Sequence, residues 1–167
     1  MGDSLSIIFT IIVAVIIMFI FPTLDTWERQ DDLSYMAVYS ATTDFVDAIR
    51  NTGVLTPAMY DSFYGQLLGT TNTYKVTLEH REYLVVPKSG DPLNPTEVDY
   101  LYHYTSEIES VLNSGNNYTF DKGDYIYVSV KNTNKTQATV MKQTIYGRTM
   151  ESFSIGVPYG GQIKSSY

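Results

Sequence analysis

Few side chains in this sequence are suited to chemistry. The two histidines, His80 and His103, each stand beside acids or tyrosines, Glu79 and Glu82 at one and Tyr102 and Tyr104 at the other. A pair of imidazoles can hold a metal ion or pass a proton. Two surface histidines is the simpler reading, and no metal ligand is assigned. Asp121 and Asp124 lie either side of a glycine, as in a calcium loop. The alternating oxygen ligands and closing glutamate of such a loop are missing, so the segment reads as a plain turn. There is no Gly-rich phosphate loop, no G-x-S-x-G and no H-E-x-x-H. Zero cysteines removes disulfides, thiol nucleophiles and thiolate metal sites together. No catalytic or cofactor-binding residue is assigned, no cofactor is expected, and the chain is not expected to be an enzyme. Asn117-Tyr-Thr119 and Asn134-Lys-Thr136 match the N-glycosylation acceptor, whereas Pro95 spoils the match at Asn94. Two matches in a chain rich in Asn and Thr are close to chance.

The elements that would position these residues begin with an uncharged block, Leu5 to Phe21, whose only polar members are Ser6 and Thr10. As a helix it reaches roughly 26 Å, close to the thickness of a hydrocarbon core. A signal peptide needs a basic start and a small-residue cleavage site. This block enters through Met1-Gly2-Asp3-Ser4 and leaves through Phe19-Ile20-Phe21-Pro22, so a retained helix is expected. Pro22 removes one backbone donor and should kink or loosen the helix there. Beyond it Leu33, Ala37, Ala41, Phe45 and Ala48/Ile49 recur at helical steps, predicting an amphipathic continuation that Thr52-Gly53 ends.

The remaining chain, 167 residues and 18.9 kDa in all, is enough for one ordinary domain. Thr56-Pro57 predicts a helix start, with Met59, Phe63 and Leu67 as its buried stripe up to Gly69. Tyr74 to His80 alternates and Tyr83 to Val86 is apolar, giving one strand or two. A Pro/Gly/Asp-rich loop, Pro87 to Pro95, leads to Thr96 as cap of a helix from Glu97 to Asn113 striped by Val98, Leu101, Ile108, Val111 and Leu112. Tyr125 to Lys131 and Thr136 to Ile145 predict a hairpin, Phe153 to Val157 a last strand, and Tyr159-Gly160-Gly161 the start of a flexible end. The expected fold class is α+β: a long N-terminal helix packed on an antiparallel sheet of three to five strands, with two short helices. Three stretches follow: 1–24 as hydrophobic helix, 25–52 as amphipathic helix, 53–167 as globular head.

Charge excludes one class of partner. The net charge is -7 and the isoelectric point near 4.6, the wrong sign for sequence-specific nucleic-acid binding. The acids are also uneven: Asp25 to Arg50 carries six acids and two bases, Phe120 to Tyr167 three acids and six bases. The two regions should attract, either within one chain or between neighbours. Fifteen tyrosines point to a surface made for wet protein contact.

This layout resembles a type IV pilin or a pilin-like protein of the tight-adherence systems. The similarity covers the whole chain, and its most specific element is Pro22, which falls at the family's helix break when Met1 is counted as the mature first residue. Gly123 to Asn132 is similar, more loosely, to strands of the tight-adherence pseudopilins. The resemblance implies a subunit stored in the cytoplasmic membrane, contacting lipid and the pilus assembly machinery, then polymerised with itself into a surface filament. Its assembly helix would be Leu5, Ile8, Ile12, Val15, Ile16 and Phe19. Leu5 stands where the family usually has glutamate, which leaves Asp3 as the nearby acid for setting subunit register. Processing is implied either at Met1 or after Gly2. A single-pass surface protein, or a component of a secretion or conjugation apparatus that binds a partner without polymerising, is the alternative.

Overall fold

The computed structural model describes residues 2–87, 96–149 and 151–166. Its class is α+β, as expected: one long helix, three short ones and antiparallel sheets. The long loop read from Pro87 to Pro95 lies, past its first residue, outside the described residues.

Helix α1, Gly2–Thr52, is continuous through Pro22. Pro22 takes the backbone donor from Met18 O alone, and around it Thr23 Oγ1 donates to Phe19 O and Thr26 Oγ1 to Pro22 O, both at 2.8 Å, keeping the side-chain hydroxyls bonded within the helix. Gly53 closes the helix in the left-handed region, φ 69°, and donates its N–H to Ile49 O at 2.8 Å.

Two compact units emerge, Met1–Ser34 with Lys135–Phe153, and Tyr35–Asn134 with Ser154–Tyr167. In the second, β1 (Val54–Leu55) precedes helix α2 (Pro57–Leu68), whose Thr56 cap accepts from Met59 N at 3.2 Å. Strand β2, Tyr74–Pro87, is a single strand, and β3, Thr96–Tyr104, runs beside it. Helix α3 (Thr105–Asn113), β4 (Tyr118–Thr119), β5 (Tyr125–Asn132) and, later, β6 (Gly156–Gln162) complete the unit. The main sheet has the order β3-β2-β5-β6, every neighbour antiparallel, while β1 pairs with β4.

Its core lies between one sheet face and helices α1, α2 and α3. Val76 and Leu78 from β2 and Ile126, Val128 and Val130 from β5 meet Val38, Phe45, Val46 and Ile49 from α1. Phe45 stacks on Phe63 of α2 with centroids 4.2 Å apart. The expected stripe was rotated on the helix: Ala41, Phe45 and Ile49 are buried, but Leu33 and Ala37 are exposed, and Ser34, Val38, Thr42 and Val46 take the inner positions. Thr42 can sit inside because its hydroxyl donates to Val38 O at 2.7 Å.

Three sequence expectations fail for identifiable reasons. The helix read from Glu97 is strand as far as Tyr104, because Tyr100-Leu-Tyr-His-Tyr104 is aromatic-rich and pairs along β2, Tyr83 opposite Tyr100 and Arg81 opposite Tyr102. Only Ile108 and Leu112 of its stripe are buried, within α3, and Val98 and Leu101 are exposed. The returning strand of the hairpin is helix α4, Gln137–Tyr146, in the first unit: Thr136 caps it by accepting from Thr139 N at 3.3 Å, and Gly147, φ 63°, ends it. β5 pairs instead with β6, which runs on through Tyr159-Gly160-Gly161 rather than fraying there, and Phe153 to Ile155 is irregular.

Candidate functional site

The N-terminal half of α1 offers its apolar side chains to solvent on all sides. Leu5, Ile8, Ile12, Val15, Ile16 and Phe19 are each about half exposed or more, and among the described residues none of the most apolar 18-residue window is buried. The helix is long and apolar enough to cross a membrane. Polar atoms do not interrupt it: Thr10 Oγ1 donates to Ser6 O at 2.8 Å, so the hydroxyl needs no partner from outside. Gly2 opens the helix; Met1 and the Asp3 side chain lie outside what is described. Exposed apolar surface of this kind is unfavourable in water at about 25 cal/mol per Å2.

No protein family, characterised protein or solved structure matches this chain.

A second cluster lies in the larger unit, around a depression of about 360 Å3. His80 is not a surface residue, as its sequence setting implied, but buried at 4% exposure. Strand β2 pairs on both sides at residues 79–81, which walls the imidazole in. Its Nε2 lies 2.9 Å from Asp124 Oδ2 and its Nδ1 2.8 Å from the Tyr118 hydroxyl. Asp124 is itself buried and accepts from Asp121 N at 2.8 Å and from Tyr83 N at 2.9 Å. An ionised carboxylate only accepts, so His80 donates from Nε2 and takes the Tyr118 O–H at Nδ1. Burial holds the His80 pKa below its ordinary value although Asp124 pulls the other way, leaving a neutral ring. Burial, with the charges of Glu107, Glu82 and Asp124, pushes the Tyr118 phenol up to about 12.

His103 stacks on His80 at 5.3 Å and differs from it. Burial disfavours its charge, but Glu107 at 2.9 Å and Glu82 at 3.3 Å outweigh that and raise its pKa. Among the described residues no group of three or more His, Asp or Glu is placed to hold a metal ion. Asp121 to Asp124 is a turn, with Asp124 N donating to Asp121 O at 3.1 Å and Gly123 at φ 107°. What the sequence reading missed is the inward carboxylate of Asp124. The available signal was the alternation of β5: buried Ile126, Val128 and Val130 put Asp124 in phase with the core.

The acceptor asparagines differ. Asn117 is exposed in the α3–β4 connection, whereas Asn134 is engaged, accepting from Thr73 N and donating Nδ2 to Asn72 Oδ1, both at 2.9 Å. The two charged regions meet within the smaller unit, where Lys142 of α4 reaches Glu28 of α1 at 2.5 Å. Beside that pair Asp31 is buried, its pKa raised by burial and by Asp32 in spite of a hydrogen bond from Thr136 and the charge of Lys142.

Proposed function

We propose that this chain is a structural subunit of a type IV pilus-like filament, assembled through Leu5 to Phe21 with the α+β head facing solvent. The observation that supports the reading is the division of labour within one 51-residue helix: its C-terminal part is the spine of a packed core, and the apolar window of its N-terminal part is not buried among the described residues. A simple tether needs no such continuity, whereas a subunit that hands its apolar helix from lipid to a bundle of like helices needs a stiff link to its head. Packing among identical helices replaces acyl contacts, so the exchange can be driven without net loss of apolar cover.

The proposed role is mechanical rather than catalytic. Partners are other copies, the membrane before assembly and the machinery that extracts the subunit from it. Replacing Ile12 or Ile16 with Lys sets a charge near the middle of the apolar stretch, at a cost of about 3 kcal/mol for a helix in a bilayer. Filaments should be lost while the head stays folded by near-ultraviolet circular dichroism. Normal filaments from both variants would refute the reading. A chain that stays in the membrane, sheds no fibres in either form and binds a partner through its head is the non-polymerising alternative.

A further inference from the structure

Two imidazoles stack in the head, and their partners suit only one of them to a charge. His80 and His103 stand opposite one another on β2 and β3, with ring centres 5.3 Å apart. His80 meets one carboxylate, Asp124, and one phenol, Tyr118, a set that a neutral ring satisfies with a single N–H. His103 meets two carboxylates. Its Nδ1 lies 2.9 Å from Glu107 Oε2 and its Nε2 3.3 Å from Glu82 Oε2. Ionised carboxylates only accept and a neutral imidazole has one donor, so both contacts are hydrogen bonds only when the ring carries two protons.

The three partners come from three elements. Glu82 is on β2, two residues past His80 and so on the same face; His103 lies next to the end of β3; Glu107 is in the first turn of α3. That turn has few other ties at its start. Tyr104 caps it without a side-chain hydrogen bond, and the Thr105 hydroxyl bonds to the strand instead, donating to Leu78 O at 3.1 Å and accepting from Leu78 N at 2.8 Å. Farther along, α3 is anchored by buried Ile108 and Leu112 and by Glu109, which accepts from the Tyr60 hydroxyl at 2.6 Å. The remaining titratable groups on this side of the sheet are His80, with Tyr118 and Asp124 bonded to it, and Asp121, which lines the same depression. Glu79 and Arg81 alternate to the other face and pair with one another there.

We propose that His103 is a proton-operated clamp between the sheet and helix α3: the doubly protonated ring ties Glu82 to Glu107, and loss of one proton frees the first turn of the helix. A neutral ring keeps one N–H and turns the lone pair of its other nitrogen toward a carboxylate, so one tie becomes repulsive. The His103 side chain is 28% exposed, which lets the proton exchange with solvent. Burial opposes its charge, and the two carboxylates outweigh that and raise its pKa. The clamp is therefore closed at low pH and opens as pH rises through the folded pKa. His80, held down by burial and by the charge of His103, stays neutral beside it. The inference concerns the head alone and is independent of polymerisation.

The test uses the full chain dispersed in a zwitterionic detergent. Ring-proton NMR follows both histidines from pH 5 to pH 9, with the His103 midpoint expected above 6.5 and that of His80 below it. Hydrogen exchange of amides 108–111, divided by the intrinsic rate at each pH, reads the helix, with amides 126–130 of β5 as reference. Protection of 108–111 relative to β5 should fall about fivefold between pH 6 and pH 8.5. In His103→Gln it should stand at the lower level already at pH 6 and no longer respond to pH. Glu107→Gln, at an exposed side chain, should lower the His103 midpoint and move the fall in protection to lower pH, and it decides the matter where His103→Gln fails to fold. A His103 midpoint at or below 6.5, protection of 108–111 that is flat with pH in the parent, or the parent's pH response kept in full by either variant would each overturn the proposal.

Discussion

Replacing Asp124 with Asn tests the buried node of the head. The carboxylate receives three donors, His80 Nε2–H, Asp121 N–H and Tyr83 N–H, at 2.8–2.9 Å. An amide offers one oxygen, and its NH2 faces at least one of those donors, leaving a buried N–H unpaired. Such a group costs about 1–3 kcal/mol, and loss of a charged acceptor adds to it, so the variant should be destabilised by about 2–4 kcal/mol. In a domain of this size that is a melting point lower by about 10 °C. Asp121→Asn, at an exposed side chain in the same turn, should change stability by no more than about 0.5 kcal/mol. Urea unfolding of both variants, followed by tyrosine near-ultraviolet dichroism across pH 5 to 8, reads the effect. The sign of the pH dependence follows from His80, whose folded pKa is lowered. Its contribution is complete above the unfolded value of about 6.5 and is lost as pH falls below it, by at most about 1.4 kcal/mol per pH unit. His103, with a raised pKa, acts oppositely: its contribution is complete below about 6.5 and is lost as pH rises through the folded value. In Asp124→Asn the one group raising His80 most is gone, so the acid loss should extend to lower pH than in the parent. Equal stability of Asp124→Asn and the parent, or an acid limb unchanged in extent, would refute the reasoning.

Two glycines should respond in opposite directions. A Cβ at Gly160 would lie 2.6 Å from Ile126 O, so Gly160→Ala should cost about 1–3 kcal/mol, whereas Gly65, with nothing within 4 Å in α2, should gain about 0.5–1 kcal/mol as Ala; paired denaturation curves decide it. Thr136→Ala removes both the α4 cap and the hydrogen bond to Asp31, a loss of about 1 kcal/mol, and hydrogen exchange of residues 137–146 should quicken by about fivefold. Exchange unchanged across α4 would show that the cap is not what holds that helix.

The chemistry of the residues made some elements plain in the sequence and concealed others. The apolar helix, its continuation as the head's spine, the Gly53 stop and the Thr56-Pro57 start were legible because each is set by residues close in the chain. The rotation of the buried stripe was not, since Thr42 and Ser34 read as outward until their hydroxyls bond back to Val38 O and Gln30 O. Strand β3 and helix α4 were exchanged in type because Val98 and Leu101 fit a helical step by accident, and Thr136 to Ile145 alternates although it carries a cap and a left-handed glycine stop. The His80–Asp124 contact joins residues far apart in sequence, and only strand pairing brings them together. The tyrosines were present in composition, but the gathering of Tyr83, Tyr100, Tyr102, Tyr104, Tyr125 and Tyr127 on one sheet face needed the register.

Filament formation itself is tested most directly by electron microscopy of the surface fraction of cells making this chain, labelled with an antibody to the head. Helical fibres decorated along their length are the expected result. Label confined to the membrane, with no fibre carrying it, would contradict the proposed role.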